Sequence, residues 1–202
     1  MTFPPLKSPL KFYAVVPTAD WVERMVKAGA DTVQLRCKIL HGDELKREIE
    51  RCVVACQNSA TQLFINDHWR EAIAAGAYGV HLGQEDMDTA DLAAIAAAGL
   101  RLGLSTHSVA ELDRALSVHP SYVASGAIFP TTTKQMPTAP QGLDKLREYV
   151  KQAGGNTAGD FAFQFIAVQG FAAQLHRVGT CFDHALHPIG SGNDGVEFKR
   201  GV

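Results

Sequence analysis

Cysteine is scarce in this sequence. Its four thiols, Cys37, Cys52, Cys56 and Cys181, make no disulfide framework. Cys52 and Cys56 share one face of an amphipathic run, where buried thiols are common, so all four read as core or reduced surface groups. Charge of one sign is lacking as well. A formal net charge of -2 argues against a nucleic-acid surface or a polybasic membrane patch, while leaving room for local Lys and Arg clusters that bind an anion. No stretch approaches the roughly 20 apolar residues of a membrane-spanning helix. The opening "MTFPPLKSPLK" has no apolar core beside a cleavage site, so a cytoplasmic location is expected. No G-x-G-x-x-G follows the first strand-like run, which counts against a dinucleotide-binding doubly wound sheet. What remains is ordinary globular composition, 46% hydrophobic and 20% charged over 202 residues, enough for one domain with a real core. Its expected partners are small molecules, with no nucleic acid and no membrane; a homo-oligomer is compatible with the same composition.

Short β-branched runs alternate with helical ones along most of the chain. Strands are expected at 12–16, 32–36, 63–65, 79–82, 102–105 and 122–126. Thr18-Ala19-Asp20 opens a helix that Gly29 can end, and further helices are expected at 43–58, 69–75, 89–98, 110–118 and 143–152. Ser108-Val109-Ala110-Glu111 has the spacing of a capping box, and Gly76 and Gly99 sit where helices would stop. Repeated strand-helix units imply a parallel sheet, because parallel neighbours need a crossover connection. The expected fold is α/β, a (β/α)8 TIM barrel formed as a single domain over 1–202, with closure at strands seven and eight left open.

In such a barrel the active site lies at the carboxyl ends of the strands. There the sequence places Arg36, Asn66-Asp67, Gln84 to Asp86, Ser105 to His107 and the loop "IFPTTTKQMPTAPQG". Consecutive strands are usually neighbours, so Asp67 and Asp86 can converge on one ion. Magnesium (Mg2+) keeps several waters and takes one or two carboxylates plus phosphate oxygens, which suits two acids and implies a phosphorylated substrate. The alternative is that Asp67 caps the next helix. Gln34, Arg36 and Lys38 alternate along a strand end and can face one ligand together. Arg offers phosphate a planar fork, Lys a point charge, and Gln can read a ring amine or a ring nitrogen. The long loop contributes the hydroxyls of Thr131, Thr132 and Thr133 and the cation Lys134, with prolines that reduce the entropy of ordering them. His107 could touch substrate or cap a helix and is not counted as catalytic. Cys181-x-x-His184-x-x-His187 lacks a second pair to complete four zinc ligands. His81 is expected inside the barrel in a satisfied hydrogen bond.

Four stretches, "VQLRCK", "LFINDHWREAIAAGAYGVHLGQED", "RLGLSTHS" and "YVASGAIFPTTTKQMPTAPQGLDKL", together resemble the thiamine-phosphate synthase family in order and spacing over residues 12–146. The resemblance implies a barrel that joins 4-amino-2-methyl-5-hydroxymethylpyrimidine diphosphate to a thiazole phosphate with release of diphosphate, by a dissociative carbocation route. It further implies that Gln34, Arg36, Lys38, Asn66, Ser105 and Lys134 contact the pyrimidine diphosphate, that Asp67 and Asp86 hold Mg2+, and that Thr131 to Thr133 approach the thiazole phosphate. Lys134 and Ser105 are then the expected catalytic residues. No nucleophilic Ser or Cys is required by such chemistry. Residues 1–150 carry the resemblance and 151–202 depart from it. In the tail a seventh strand over 166–171 would keep Gly170 at the phosphate end, with Gln169 where the family has a further glycine. Two other readings stand beside the synthase: a non-catalytic ligand-binding remnant of the family, and a related phosphate-binding barrel such as a thiazole tautomerase.

Overall fold

The computed structural model describes residues 2–130, 139–155 and 165–168. Strands and helices alternate: β1 (Tyr13–Val16), α1 (Ala19–Lys27), β2 (Thr32–Leu35), α2 (Gly42–Cys56), β3 (Gln62–Asn66), α3 (Trp69–Ala74) and β4 (Gly79–Leu82). Next come α4 (Gln84–Thr89), α5 (Leu92–Ala97), β5 (Arg101–Thr106), α6 (Val109–Ser117), β6 (Tyr122–Gly126), α7 (Gly142–Gly155) and β7 (Phe165–Val168). Among the described residues the strands form one seven-stranded parallel sheet in the order β1 to β7. Every residue of β2, β3, β4 and β6 is buried, as expected for parallel strands covered on both faces.

The sheet curls. Tyr13 on β1 and Tyr122 on β6 have hydroxyl oxygens 2.7 Å apart, whereas five strand spacings in a flat sheet would separate those strands by about 24 Å. Inside the curl the rings of Phe64 and Tyr122 pack edge to face with centroids 5.1 Å apart. Glycine makes room for them: a Cβ on Gly79 would fall 2.4 Å from Phe64 Cε1, and one on Gly103 would fall 2.1 Å from Tyr122 Cζ. Outside it, Leu45, Ile49 and Cys52 of α2 face the sheet. Each fully buried Leu or Ile of this layer contributes roughly 1.5–3 kcal/mol. Thr18 caps α1 and Ser108 caps α6 through their hydroxyls. The capping box is modified, since Glu111 reaches back to the His107 N–H at 2.7 Å and not to that of Ser108.

The expected helix at 89–98 forms as the shorter α5, and a separate helix, α4, precedes it. Ala90 is extended, and Asp91 caps α5 by accepting from the Ala94 N–H at 2.9 Å. The first of the pair, α4, covers residues expected to be loop. The seventh strand forms at Phe165–Val168. An eighth strand and a closing pair with β1 fall outside the described residues, so the shown fold is a curled parallel α/β sheet.

Candidate active site

The carboxyl ends of β2 to β5 bring the predicted residues together in a graded way. Asp67 follows β3 with φ +64, a left-handed backbone that Asp tolerates better than most residues but that still carries strain. Its N–H donates to the His81 carbonyl at 3.0 Å, which pins the end of β3 to β4. Its carboxylate takes an ion pair from Lys38 Nζ and a hydrogen bond from Asn66 Nδ2 at 2.6 Å. The helix-cap alternative falls here, because His68 occupies the cap of α3 and no side chain bonds there. Asp86 is the third residue of α4, and its Oδ2 accepts the Gly83 N–H at 3.2 Å. Burial first, then repulsion from and hydrogen bonding with the Asp67 carboxylate, raise the Asp86 carboxyl above its ordinary range; the Gly83 N–H and Lys38 oppose the rise.

Asp67 disfavours the charge on Asp86 beside it, and a cation between the two acids would relieve that. Asn66 Oδ1, beside Asp67, is buried without a hydrogen-bond partner among the described residues. No group of three or more His, Cys, Asp or Glu able to hold a metal occurs among the described residues. That donor set fits Mg2+ completed by waters and substrate oxygens better than a zinc or calcium cage.

Gln34, Arg36 and Lys38 do not share one depth. Gln34 is 5% exposed and donates from Nε2 to the Tyr13 hydroxyl at 2.8 Å. Arg36 is exposed, and its guanidinium has no partner among the described residues. Lys38, also exposed, is committed to Asp67. Ser105 lies half-buried near the end of β5 with Oγ 2.8 Å from His81 Nε2, and its carbonyl accepts from Gln84 Nε2 at 2.7 Å. His81 is satisfied at both ring nitrogens, the second 2.7 Å from the Tyr122 hydroxyl, and burial lowers its pKa to about 4. His107 is held by Glu111 at the start of α6, 3.0 Å from Nδ1, which accounts for it without a ligand. Thr131, Thr132, Thr133, Lys134 and Gly170 lie outside the described residues, as do Cys181, His184 and His187. Sequence reasoning missed Tyr13 and Tyr122. The available signal was a phenol at the start of an otherwise small or apolar buried strand, which needs a polar partner.

Comparison with known proteins bears on family and fold. The profile described as thiamine monophosphate synthase matches residues 12–168, reaching through β7. A protein of Neisseria meningitidis serogroup B named thiamine-phosphate synthase is 94% identical over 155 residues, 77% of this chain and 76% of its own. One of the same name from Citrobacter koseri is 49% identical over 152 residues, covering 75% and 72%. Among solved structures, a thiamine phosphate pyrophosphorylase from Pyrococcus furiosus superposes with a TM-score of 0.61 at 23% identity, covering 80% of this chain and 76% of that one. An HpcH/HpaI aldolase from Desulfitobacterium hafniense gives 0.57 at 15% identity, covering 86% and 82%. At those identities the two structures speak for the fold alone.

Proposed function

The chain belongs to the thiamine monophosphate synthase family, and on that premise we infer that it joins 4-amino-2-methyl-5-hydroxymethylpyrimidine diphosphate to a thiazole phosphate, releasing diphosphate. The observation that carries this reading is the crowding of Asp67 and Asp86 beside Lys38, with the Arg36 guanidinium unpaired among the described residues on the neighbouring strand end. Paired acids beside an unpaired guanidinium suit a ligand that brings a divalent ion and several phosphate oxygens together.

The chemistry needs charge control more than a nucleophile. As the bond to diphosphate breaks, negative charge grows on the leaving group. Arg36 presents a fork and Lys38 a point charge to that growth, and both favour the transition state over the ground state. Asp67 and Asp86, with Asn66 Oδ1 alongside, would hold Mg2+, which would supply further neutralisation of the same leaving group. Gln34 and Ser105 hold the pyrimidine ring. Lys134 as a third cation, Thr131 to Thr133 at the thiazole phosphate and Gly170 at the end of the seventh strand rest on the family resemblance. The closed (β/α)8 barrel and the cytoplasmic location belong to the same reading; no helix among the described residues is long and apolar enough to cross a membrane.

Similarity to the Neisseria relative covers 77% of the chain, and that limit favours a second reading, in which the pyrimidine half-site binds without turnover. Purified full chain given both substrates and Mg2+ separates the two. Thiamine phosphate formation that stops on chelation is expected. Tight pyrimidine-diphosphate binding without product selects the second reading, and absence of binding to either substrate overturns both.

A further inference from the structure

One polar chain crosses the interior between Gln34 and Ser105. Gln34 Nε2 is 2.8 Å from the Tyr13 hydroxyl, which is 2.7 Å from the Tyr122 hydroxyl. Tyr122 is in turn 2.7 Å from His81 Nδ1, and His81 Nε2 is 2.8 Å from Ser105 Oγ. Counting protons gives the chain a direction. The amide nitrogen of Gln34 only donates, so Tyr13 accepts there and sends its own hydrogen to its other partner, Tyr122. Tyr122 then donates to His81 Nδ1, which must be bare. A neutral imidazole carries a single N–H, so Nε2 bears it and donates to Ser105 Oγ. Two groups are left without partners among the described residues: the Gln34 amide oxygen and the Ser105 hydroxyl hydrogen.

We propose that Tyr13, Tyr122 and His81 are positioning residues that polarise this chain, so that the site meets its ligand with an acceptor at Gln34 and a donor at Ser105. The proposal rests on the pyrimidine reading above and sharpens it into a specificity. A ring with an exocyclic amine offers Gln34 a donor, and its ring nitrogen offers Ser105 an acceptor. An oxo group in place of the amine sets acceptor against acceptor. To accommodate it Gln34 must turn its amide, and the chain must then reverse at every link or leave a buried polar group unpaired. Amino rings are therefore selected over their oxo counterparts.

Nitrogen NMR of the histidine-labelled full chain, with the His81 signal assigned by its loss in His81→Gln, should show the Nε2–H tautomer. Tyr122→Phe, which keeps the ring that fills the space beside Gly103, should lose that single tautomer. In calorimetric titrations with Mg2+, Tyr122→Phe and Tyr13→Phe should each weaken pyrimidine diphosphate roughly tenfold, the scale of one lost neutral hydrogen bond. Inorganic diphosphate should bind as before, and the preference for the amino over the oxo ring should narrow by a similar factor. An Nδ1–H tautomer in the parent, or equal losses for both ligands, zero included, overturns the relay. If the parent binds pyrimidine diphosphate no better than inorganic diphosphate, the pyrimidine reading fails instead, and the tautomer measurement still decides the polarity of the chain.

Discussion

At the amino ends of the strands residues 2–11 lie across the sheet, and their polar groups are met one by one. Ser121 donates to the Pro4 carbonyl at 2.7 Å, and Arg101 to that of Pro5 at 3.2 Å. The Lys7 N–H is shared by the Tyr78 hydroxyl and Gln62 Oε1, and Gln62 Nε2 returns to the Ser8 carbonyl. Leu6 and Leu10 close the gap beneath Phe64 and Tyr122. At the carboxyl ends the same strands leave two acids facing each other, a buried amide oxygen unpaired among the described residues and Asp67 in a left-handed backbone. The contrast teaches where stability and function part. One end satisfies its own groups; the other holds unsatisfied ones in place, as ligand sites do.

The comparison breaks if damage at the amino end reaches the site. Phe3 is 2% exposed, so Phe3→Ala should lower unfolding free energy by about 4 kcal/mol, in the range for a buried Phe cut back to Ala. Urea unfolding measures that, and calorimetry on the folded variant should show unchanged affinity for pyrimidine diphosphate. A large affinity loss would mean that the two ends are mechanically one. His81 lies between them and gives the next largest effect. Its folded pKa near 4 is below the ordinary 6.5, so between those values the unfolded chain binds more protons and stability rises with pH. The contribution is complete above pH 6.5 and is lost as pH falls through that window, on the order of 3 kcal/mol by pH 4. His81→Gln should remove this slope in unfolding curves taken at each pH; a parallel slope in the variant would assign it to other groups.

The strands were legible in sequence because short β-branched runs ended at polar residues, and the acids were legible because Asp67 and Asp86 mark two such ends. The cost of α4 to the sequence reading has a physical source: in "QEDMDT" only Met87 is buried, so there is no apolar period to detect. The role of residues 2–11 was hidden for a similar reason, since a proline-bearing segment without periodicity reads as a tail until its carbonyls are seen paired. Alternation grouped Gln34, Arg36 and Lys38 along one strand, yet β2 ends at Leu35, so Gln34 is buried in the sheet while Arg36 and Lys38 lie exposed past its end. The bond between Tyr13 and Tyr122 joins residues 109 apart in sequence, a contact that only the curl of the sheet creates.

At the carboxyl end, activity and stability should move in opposite directions. Asp86 has its carboxyl pKa raised by burial and by Asp67, so its ionised form opposes folding, and stability from this group grows as pH falls through the raised pKa. Asp86→Asn should therefore leave stability unchanged or increased near pH 7. The same change should weaken pyrimidine diphosphate with Mg2+ on the order of a hundredfold, a little under 3 kcal/mol. Asp67→Asn should match it in binding. Thermal unfolding beside calorimetry decides the point, and a variant that loses both stability and binding would turn the acid pair into a structural element like those at the other end.

Lys38 gives the smallest effect and the finest test. Its ion pair with Asp67 is half-exposed on the lysine side, so the pair contributes roughly 1 kcal/mol or less to stability. Its positive charge has two consequences of opposite sign at the site. It competes with a divalent cation for Asp67, and it attracts the phosphate oxygens that such a cation accompanies. Lys38→Met should accordingly strengthen binding of Mg2+ alone several-fold, since repulsion between the lysine and the ion is removed. Binding of the Mg2+–pyrimidine diphosphate complex should weaken about tenfold, because one phosphate contact is lost. Titrating each ligand into parent and variant at a single ionic strength reads both changes. Weakening of both would make Lys38 an organiser of Asp67, needed to aim the acid, whereas opposite signs would identify it as a cation that yields the acid to the metal and turns to the phosphate.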